Sequence, residues 1–288
     1  SYFNNKYSLD ELNISTKSIE IKDLISFLRV IYNDPKIFIA EKFIKKGYLI
    51  ANVDLKFDEN GKIKNNFKIN GLLKNGKIDL FNRYKLSKID FNFNVEKKKF
   101  KIDRANLLID DQKILIPSLD IEKKDDRFKF SGKLNTDQII LNKKQIANLI
   151  GTNHLEKIMD KIEFKSENLF SFDIDKKFRL KNTQIKSNVK LNDLVFFDKL
   201  GLREFFPNID KKIILKNHNM NVSYNDKELI LDGAGNISLE KDDKIKYKII
   251  KSKKDIEFNT SLEILNNIFK LDFINYEKKD KDNLKIDI

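Results

Sequence analysis

The chain has no cysteine and no tryptophan, and only two histidines, three prolines and nine glycines in 288 residues. Without cysteine there is no disulfide and no thiolate metal site. The compartment stays open, because many periplasmic proteins also lack the residue. His154 and His218 each lack the partner three or four positions away that a helical metal site needs, so neither is expected to be a ligand or a catalyst. His154 is expected to open a helix, and His218 to sit in an asparagine-rich strand or turn. No G-x-S-x-G elbow is present, and Gly233-Ala234-Gly235 lacks the Lys-Ser/Thr continuation of a phosphate loop. The acidic pairs Asp110-Asp111, Asp125-Asp126 and Asp242-Asp243 match hairpin turns better than calcium loops or glycosidase carboxylates. The expectation is a non-enzymatic protein with no catalytic residue, no metal site and no cofactor.

Arginine is also scarce. The net charge is +13, yet six of the 57 cationic side chains are arginine and the rest are lysine. Bidentate reading of phosphate or guanine favours arginine, so the basicity does not point to nucleic acid. Lysine, asparagine, isoleucine and phenylalanine rise together, as AT-rich codons would produce, and most of the charge reads as a solvated face. Phenylalanine follows the strand period, unlike the exposed aromatics beside basic residues of a single-strand nucleic-acid platform. The runs Lys97–Lys99 and Lys251–Lys254 read as solvated hairpin ends. No apolar run approaches the roughly 20 residues of a membrane helix, and no signal peptide is recognisable. A chain that begins at Ser1 and stops inside an alternating run reads as a section of something longer, with any anchor outside it.

What is abundant is period-two alternation, the mark of a strand with one apolar face. Val53, Leu55 and Phe57 alternate with polar residues, and Ile89, Phe91, Phe93 and Val95 form the clearest run. The rhythm continues through Phe100 and Ile102, Leu107 and Ile109, Ile114 and Ile116, Leu119 and Ile121, and Phe128 and Phe130. Turns are expected at Asn60-Gly61, Asn75-Gly76, Glu96–Lys99, Asp110-Asp111 and Lys123–Asp126, a meander with turns about every 8–12 residues. A second series begins at Phe170 and Phe172, then Phe178 and Leu180. It runs on through Val222, Leu231, Leu239, Tyr247 and Phe258 to Leu271 and Phe273, with Gly233 and Gly235 bracketing a bulge or bend.

Helices are expected in two places. Leu24, Ile25, Leu28, Ile31 and Tyr32 form a helical stripe, and Asp34-Pro35 starts a second short helix closed by Gly47. Ile146, Leu149 and Ile150, then Leu155, Ile158, Met159 and Ile162, predict two more. The resulting division is 1–47, a strand and helix segment; 48–136, a first strand series; 137–165, a helical insertion; and 166–288, a second strand series. The fold class is mainly β, a long antiparallel sheet with a few short helices at the N-terminus and mid-chain.

A sheet with one greasy face must cover it. A second sheet packed across it would give a β-sandwich. A curved sheet could instead hold acyl chains on its concave side. A membrane barrel fits poorly, since aromatic girdles are not visible and lysine-rich turns lie at both strand ends. Alternation alone does not separate sandwich from groove.

The stretches Tyr48–Phe57, Asn66–Gly71, Gly76–Leu80, Leu86–Phe91 and Arg127–Leu134 carry a further pattern, and 213–264 repeats its style with Leu229–Gly233 and Ile256–Asn259. In rhythm, across about two thirds of the chain, this resembles the AsmA-like family of bacterial envelope proteins with repeating β-grooves. The resemblance implies a curved, taco-like β-groove of two repeats, 48–136 and 166–288. It implies a periplasmic protein anchored in the inner membrane through a segment outside this chain, with further β-groove repeats beyond it. Its groove would shield phospholipid acyl chains in transit between inner and outer membranes. The acyl-chain lining would be Phe91, Phe93, Val95, Ile102, Ile109, Ile121, Phe128 and Phe130 in the first repeat, and Val222, Leu231, Leu239, Tyr247 and Phe258 in the second. The family has no catalytic residues to carry over. The alternative is a structural or adhesive β-sandwich module of a cell-envelope protein, and a weaker reading is a lysine-driven polyanion binder.

Overall fold

A computed structural model describes residues 9–31, 35–80, 84–150, 158–199, 201–278 and 282–288. The chain is mainly β, 69% strand, and its strands form one 15-stranded antiparallel sheet that is not closed into a barrel. A separate two-stranded ribbon and a few short helices complete it. By contacts the chain divides into two compact units, Ser1–Leu134 with Ser171–Lys181, and Asn135–Phe170 with Asn182–Ile288.

The first unit begins with β1 (Glu11–Ser15) and β2 (Ile19–Glu20), which both pair with β3 (Ile44–Lys56). Between them lie α1 (Ile21–Ile31) and α2 (Pro35–Phe43). β4 (Lys68–Leu80), β5 (Tyr84–Glu96), β6 (Lys99–Ile109) and β7 (Gln112–Lys124) follow, each antiparallel to the strand before it. β8 (Arg127–Asn142) leads out of this unit. Two-residue turns join β5 to β6, β6 to β7 and β7 to β8. At Asp110 and Asp111 both φ angles are positive, 46° and 66°, the geometry that matches strand twist and that aspartate tolerates.

Bulges interrupt the ladder at Asn75, Lys88 and Arg104, with φ of 52°, 49° and 54°, and the β3–β4 register shifts again between Ile44 and Lys46. The expected turn at Asn75-Gly76 is therefore a bulge inside a continuous β4. Asn75 takes the left-handed backbone, and its N–H donates to Asp90 Oδ1 at 2.7 Å instead of to the ladder. Each bulge adds one residue, so apolar side chains on either side of it return to the same face.

The expected helix end at Gly47 also differs. α2 stops at Phe43, and Gly47 lies within β3 against Ile21 and Leu73. The N-cap expected at Asp34 lies outside the described residues.

The second unit holds the remainder of β8, α3 (Lys143–Ile150), most of β9 (Met159–Asp175) and most of β10 (Leu180–Phe197). It continues with β11 (Lys212–Asn225), β12 (Glu228–Ser238), β13 (Asp242–Ser252) and β14 (Ile256–Ile264), and β17 (Leu284–Asp287) pairs on the edge of β14. β15 (Lys270–Leu271) and β16 (Tyr276–Glu277) form the small ribbon.

The mid-chain insertion is narrower than expected. β8 continues to Asn142, and Met159 and Ile162, read as helical, begin β9. Phe178, expected in a strand, sits in the turn after β9 with φ 58° and is largely exposed. That turn is organised by Asp175, whose carboxylate accepts from the backbone N–H of Lys177 and Arg179 and from the Arg179 side chain. Those bonds hold the Asp175 carboxyl well below the usual range.

Candidate functional site

Registers decide which side chains share a face. In the first unit Ile14, Val53, Ile69, Val95, Phe100 and Ile121 are consecutive partners across β1, β3, β4, β5, β6 and β7. They form one apolar row perpendicular to the strands. The next row is Ala51, Gly71, Phe93, Ile102 and Leu119, and Leu49, Leu73 and Phe91 begin a third. On the opposite face the row is Asn52, Asn70, Asn94, Lys101 and Asp120. The alternation thus sorts into a greasy side and a wet side.

One end of the greasy face is roofed. Leu73, Ile89 and Leu107 are buried there, with Ile21, Ile78, Leu86, Phe91, Ile109, Ile114 and Ile116 packed around them. Ile25 of α1 is buried as well. Away from this end, Phe93, Val95, Ile102 and Ile121 are half-buried by their neighbours along the rows. Phe93 and Phe100 stack with centroids 6.0 Å apart. Among the described residues of this unit, no second sheet lies over these rows. Phe128 is 45% exposed, while Phe130 stacks on Phe172 at 4.9 Å.

In the second unit Val222, Leu231, Ile249 and Phe258 are consecutive partners across β11 to β14, and Tyr224, Leu229, Lys251 and Ile256 form the adjoining row. Phe258 is 51% exposed. The other end of this face is sealed by Phe206, Ile209, Ile213, Ile237, Leu239, Ile264 and Phe269. Leu239 belongs to that sealed cluster, 2% exposed, and lies outside the open rows. Phe206 and Ile209 come from the connection between β10 and β11, and Phe269 from the segment after β14.

A loop folded over a core must satisfy its own backbone. The buried Asp243 carboxylate accepts from the N–H of Leu265, Asn266 and Asn267 and from the Asn267 side chain. Asn267 Oδ1 in turn accepts from the N–H of Glu240 and Lys241. The Lys278 ammonium donates to Leu265 O at 3.0 Å.

Between the open rows and the sealed cluster lies the other member of the histidine pair. His218 is buried, with Nε2 2.9 Å from Asn236 O and Nδ1 3.0 Å from the Tyr247 hydroxyl. A carbonyl only accepts, so Nε2 carries the proton and Nδ1 accepts from the tyrosine. Burial pushes the His218 imidazole down and the Tyr247 phenol up to about 12.

The glycines nearby make room for these rings. A β-carbon at Gly235 would collide with the His218 ring, and one at Gly233 would stand 2.7 Å from Tyr247. The bulge expected at Gly233 and Gly235 lies on the facing strand instead, between Lys216 and Asn219, where Asn217 has φ 55°. Gly71 serves the same purpose in the first unit, beneath Phe93.

His154 lies outside the described residues. Among the described residues no three His, Cys, Asp or Glu side chains converge on a point that could hold a metal ion. No described helix is long and apolar enough to cross a membrane. Sequence reasoning did not find the sealing residues Phe206, Ile209 and Phe269, which follow no strand period. It also left Ile69, Phe100 and Leu119 out of the lining, although their alternation was visible. No family model, curated protein or solved structure matches this chain.

Proposed function

We propose that this chain is a non-enzymatic section of a periplasmic AsmA-like protein whose apolar sheet faces shield phospholipid acyl chains between inner and outer membranes. On this reading it is anchored in the inner membrane through a segment outside this chain, beside further β-groove repeats. The observation that supports it best is the row Ile14, Val53, Ile69, Val95, Phe100 and Ile121, which has no second sheet over it within its unit. Six strands at about 4.8 Å spacing make a row about 24 Å long, more than the roughly 15 Å of hydrocarbon in one leaflet. Each methylene fully buried by such a row gains about 0.8 kcal/mol, and one covered on a single side gains less, independent of headgroup.

Exposed surface agrees with a thin core. The chain exposes 20222 Å², whereas two compact units of about 17 kDa each would expose about 15,000 Å² together. A sandwich module would require a second sheet face to face inside a unit. Within either unit the described residues supply only the long sheet and the β15–β16 ribbon.

The test is native mass spectrometry with lipid extraction on protein purified from bacterial cells. Copurified phospholipid that is lost in Val95→Asp and Phe128→Asp, with strand content unchanged by circular dichroism, supports the conduit. A folded, lipid-free protein that excludes hydrophobic dyes would replace it with the structural-module reading.

A further inference from the structure

The connection between β10 and β11, in the second unit, carries more than the sealing residues. Beside them is a cleft of about 500 Å³ lined by Phe197, Asp198, Lys199, Arg203 and Lys211. Three of its five lining side chains are cationic. Among the described residues none of Lys199, Arg203 and Lys211 has a carboxylate at ion-pair distance. The one acid, Asp198, is engaged locally, with its Oδ1 accepting from Leu202 N–H at 3.3 Å.

The backbone that holds these cations is fixed from beneath. Asp198 N–H donates to Lys211 O, Phe206 N–H to Leu202 O, and Lys270 N–H to Phe205 O. Leu202, Phe206 and Ile209 pack into the sealed cluster, so the loop carrying Arg203 is anchored by apolar burial. A second cleft, of about 520 Å³, makes a useful contrast. Its lining holds two lysines, Lys246 and Lys248, and two aspartates, Asp232 and Asp287, so these charges balance. Of the two, the cleft at Arg203 is the one that concentrates positive charge.

We infer that this cleft binds a phosphate-bearing anion. Converging cations with low-dielectric protein beneath them focus positive potential, and a guanidinium grips phosphate oxygens in a two-pronged contact that lysine cannot make. Arginine is rare in this chain, which sets Arg203 apart from the many solvated lysines. The volume falls in the range of about 300–1,000 Å³ typical of ligand sites, well beyond a bare phosphate, and Phe197 supplies an apolar wall for an organic substituent. A lipid headgroup and a free organic or inorganic phosphate share this chemistry. The site does not depend on acyl chains occupying the sheet faces.

The experiment is isothermal titration of the full chain with inorganic phosphate and, separately, with dihexanoyl phosphatidic acid below its micelle concentration. Arg203→Gln/Lys211→Gln is compared with Lys97→Gln/Lys98→Gln, which removes the same charge from the β5–β6 turn. Circular dichroism confirms that both variants fold. The expected result is saturable binding at one site, weakened at least tenfold in the Arg203/Lys211 variant and unchanged in the control. Tighter binding of the phosphatidate than of phosphate would support a lipid headgroup as the source, and equal affinities a free phosphate. Absence of saturable binding of either probe, or equal losses in both variants, overturns the site. Failure of the acyl-chain reading shows separately, as a folded protein that copurifies no lipid or keeps its lipid in Val95→Asp.

Discussion

In the first unit the apolar face is roofed by a helix, where Ile21 of α1 meets the cluster around Leu73, Ile89 and Leu107 and Ile25 is buried as well. In the second unit it is sealed by irregular chain, with Phe206, Ile209 and Phe269 over Ile213 and Ile264. The two solutions differ in their polar cost. A helix satisfies its interior backbone by itself and needs only an amphipathic stripe. A loop does not, so the second unit recruits Asp243, Asn267 and Lys278 to bond what the loop leaves open. Both solutions leave a buried cluster at one end of the face, Leu73, Ile89 and Leu107 beside the helix and Ile213 and Ile264 beneath the loop.

Substitutions can break this comparison, beginning with the sealed cluster. Ile213 is 0% exposed, and Ile213→Asp places an unpaired charge in the cluster, so a loss of about 4 kcal/mol or more is expected in urea unfolding. Val95→Asp on the open rows should cost less than about 1.5 kcal/mol by the same measurement. Equal effects would mean that the two faces are equally closed.

Asp243→Ala strands three backbone N–H groups and should cost about 3 kcal/mol, with fast hydrogen exchange at Leu265, Asn266 and Asn267. Ile25→Ala, in the helical roof itself, should cost about 2 kcal/mol and leave those amides protected. The glycine cradles should behave alike in both units. Gly71→Ala and Gly235→Ala each force a ring or backbone to move, for about 2 kcal/mol.

The smallest effect is the response to pH. His218 has its imidazole held below its ordinary value, so the unfolded chain binds the proton more readily than the folded one. Its neutral form is therefore compatible with full stability above about pH 6.5, and stability falls as pH drops below that value, by at most about 1.4 kcal/mol per unit. His218→Gln should flatten that acid limb. Tyr247 has the opposite sense, since its phenol is raised from 10.0 to about 12. Its contribution fades as pH rises above about 10, and Tyr247→Phe should remove that alkaline limb. Lys22, Asp23 and Arg29 of α1 are all exposed, so the helical roof itself contributes neither limb.

Much of the sheet was legible because alternation is a local signal. Ile89, Phe91, Phe93 and Val95 lie in one strand, and Phe93, Ile102 and Leu119 meet in one row as period two requires. The bulges were not legible, because Asn75-Gly76 has the same composition whether it turns the chain or inserts one residue. Asp90, fifteen positions away, decides between them by accepting the Asn75 N–H. The sealed end was hidden for a related reason. Leu202, Phe206 and Ile209 follow neither strand nor sustained helix spacing, and their burial depends on β strands far along the chain. Leu239 kept its alternation in sequence and still ended beneath them. The cationic cleft had no sequence signal, since Lys199 and Lys211 are ordinary in a lysine-rich chain and only the fold brings Arg203 beside them.

From β3 to β14 the order of strands in the sheet is their order in the chain. Each strand therefore finds its partner across a short connection, and no pairing waits for a distant segment to be made. Loop-closure entropy stays small at every step. Growth can proceed one hairpin at a time, each new edge serving as the template for the next strand. A chain of this kind can begin to fold while its later strands are still being synthesised, and its cooperativity is that of a zipper.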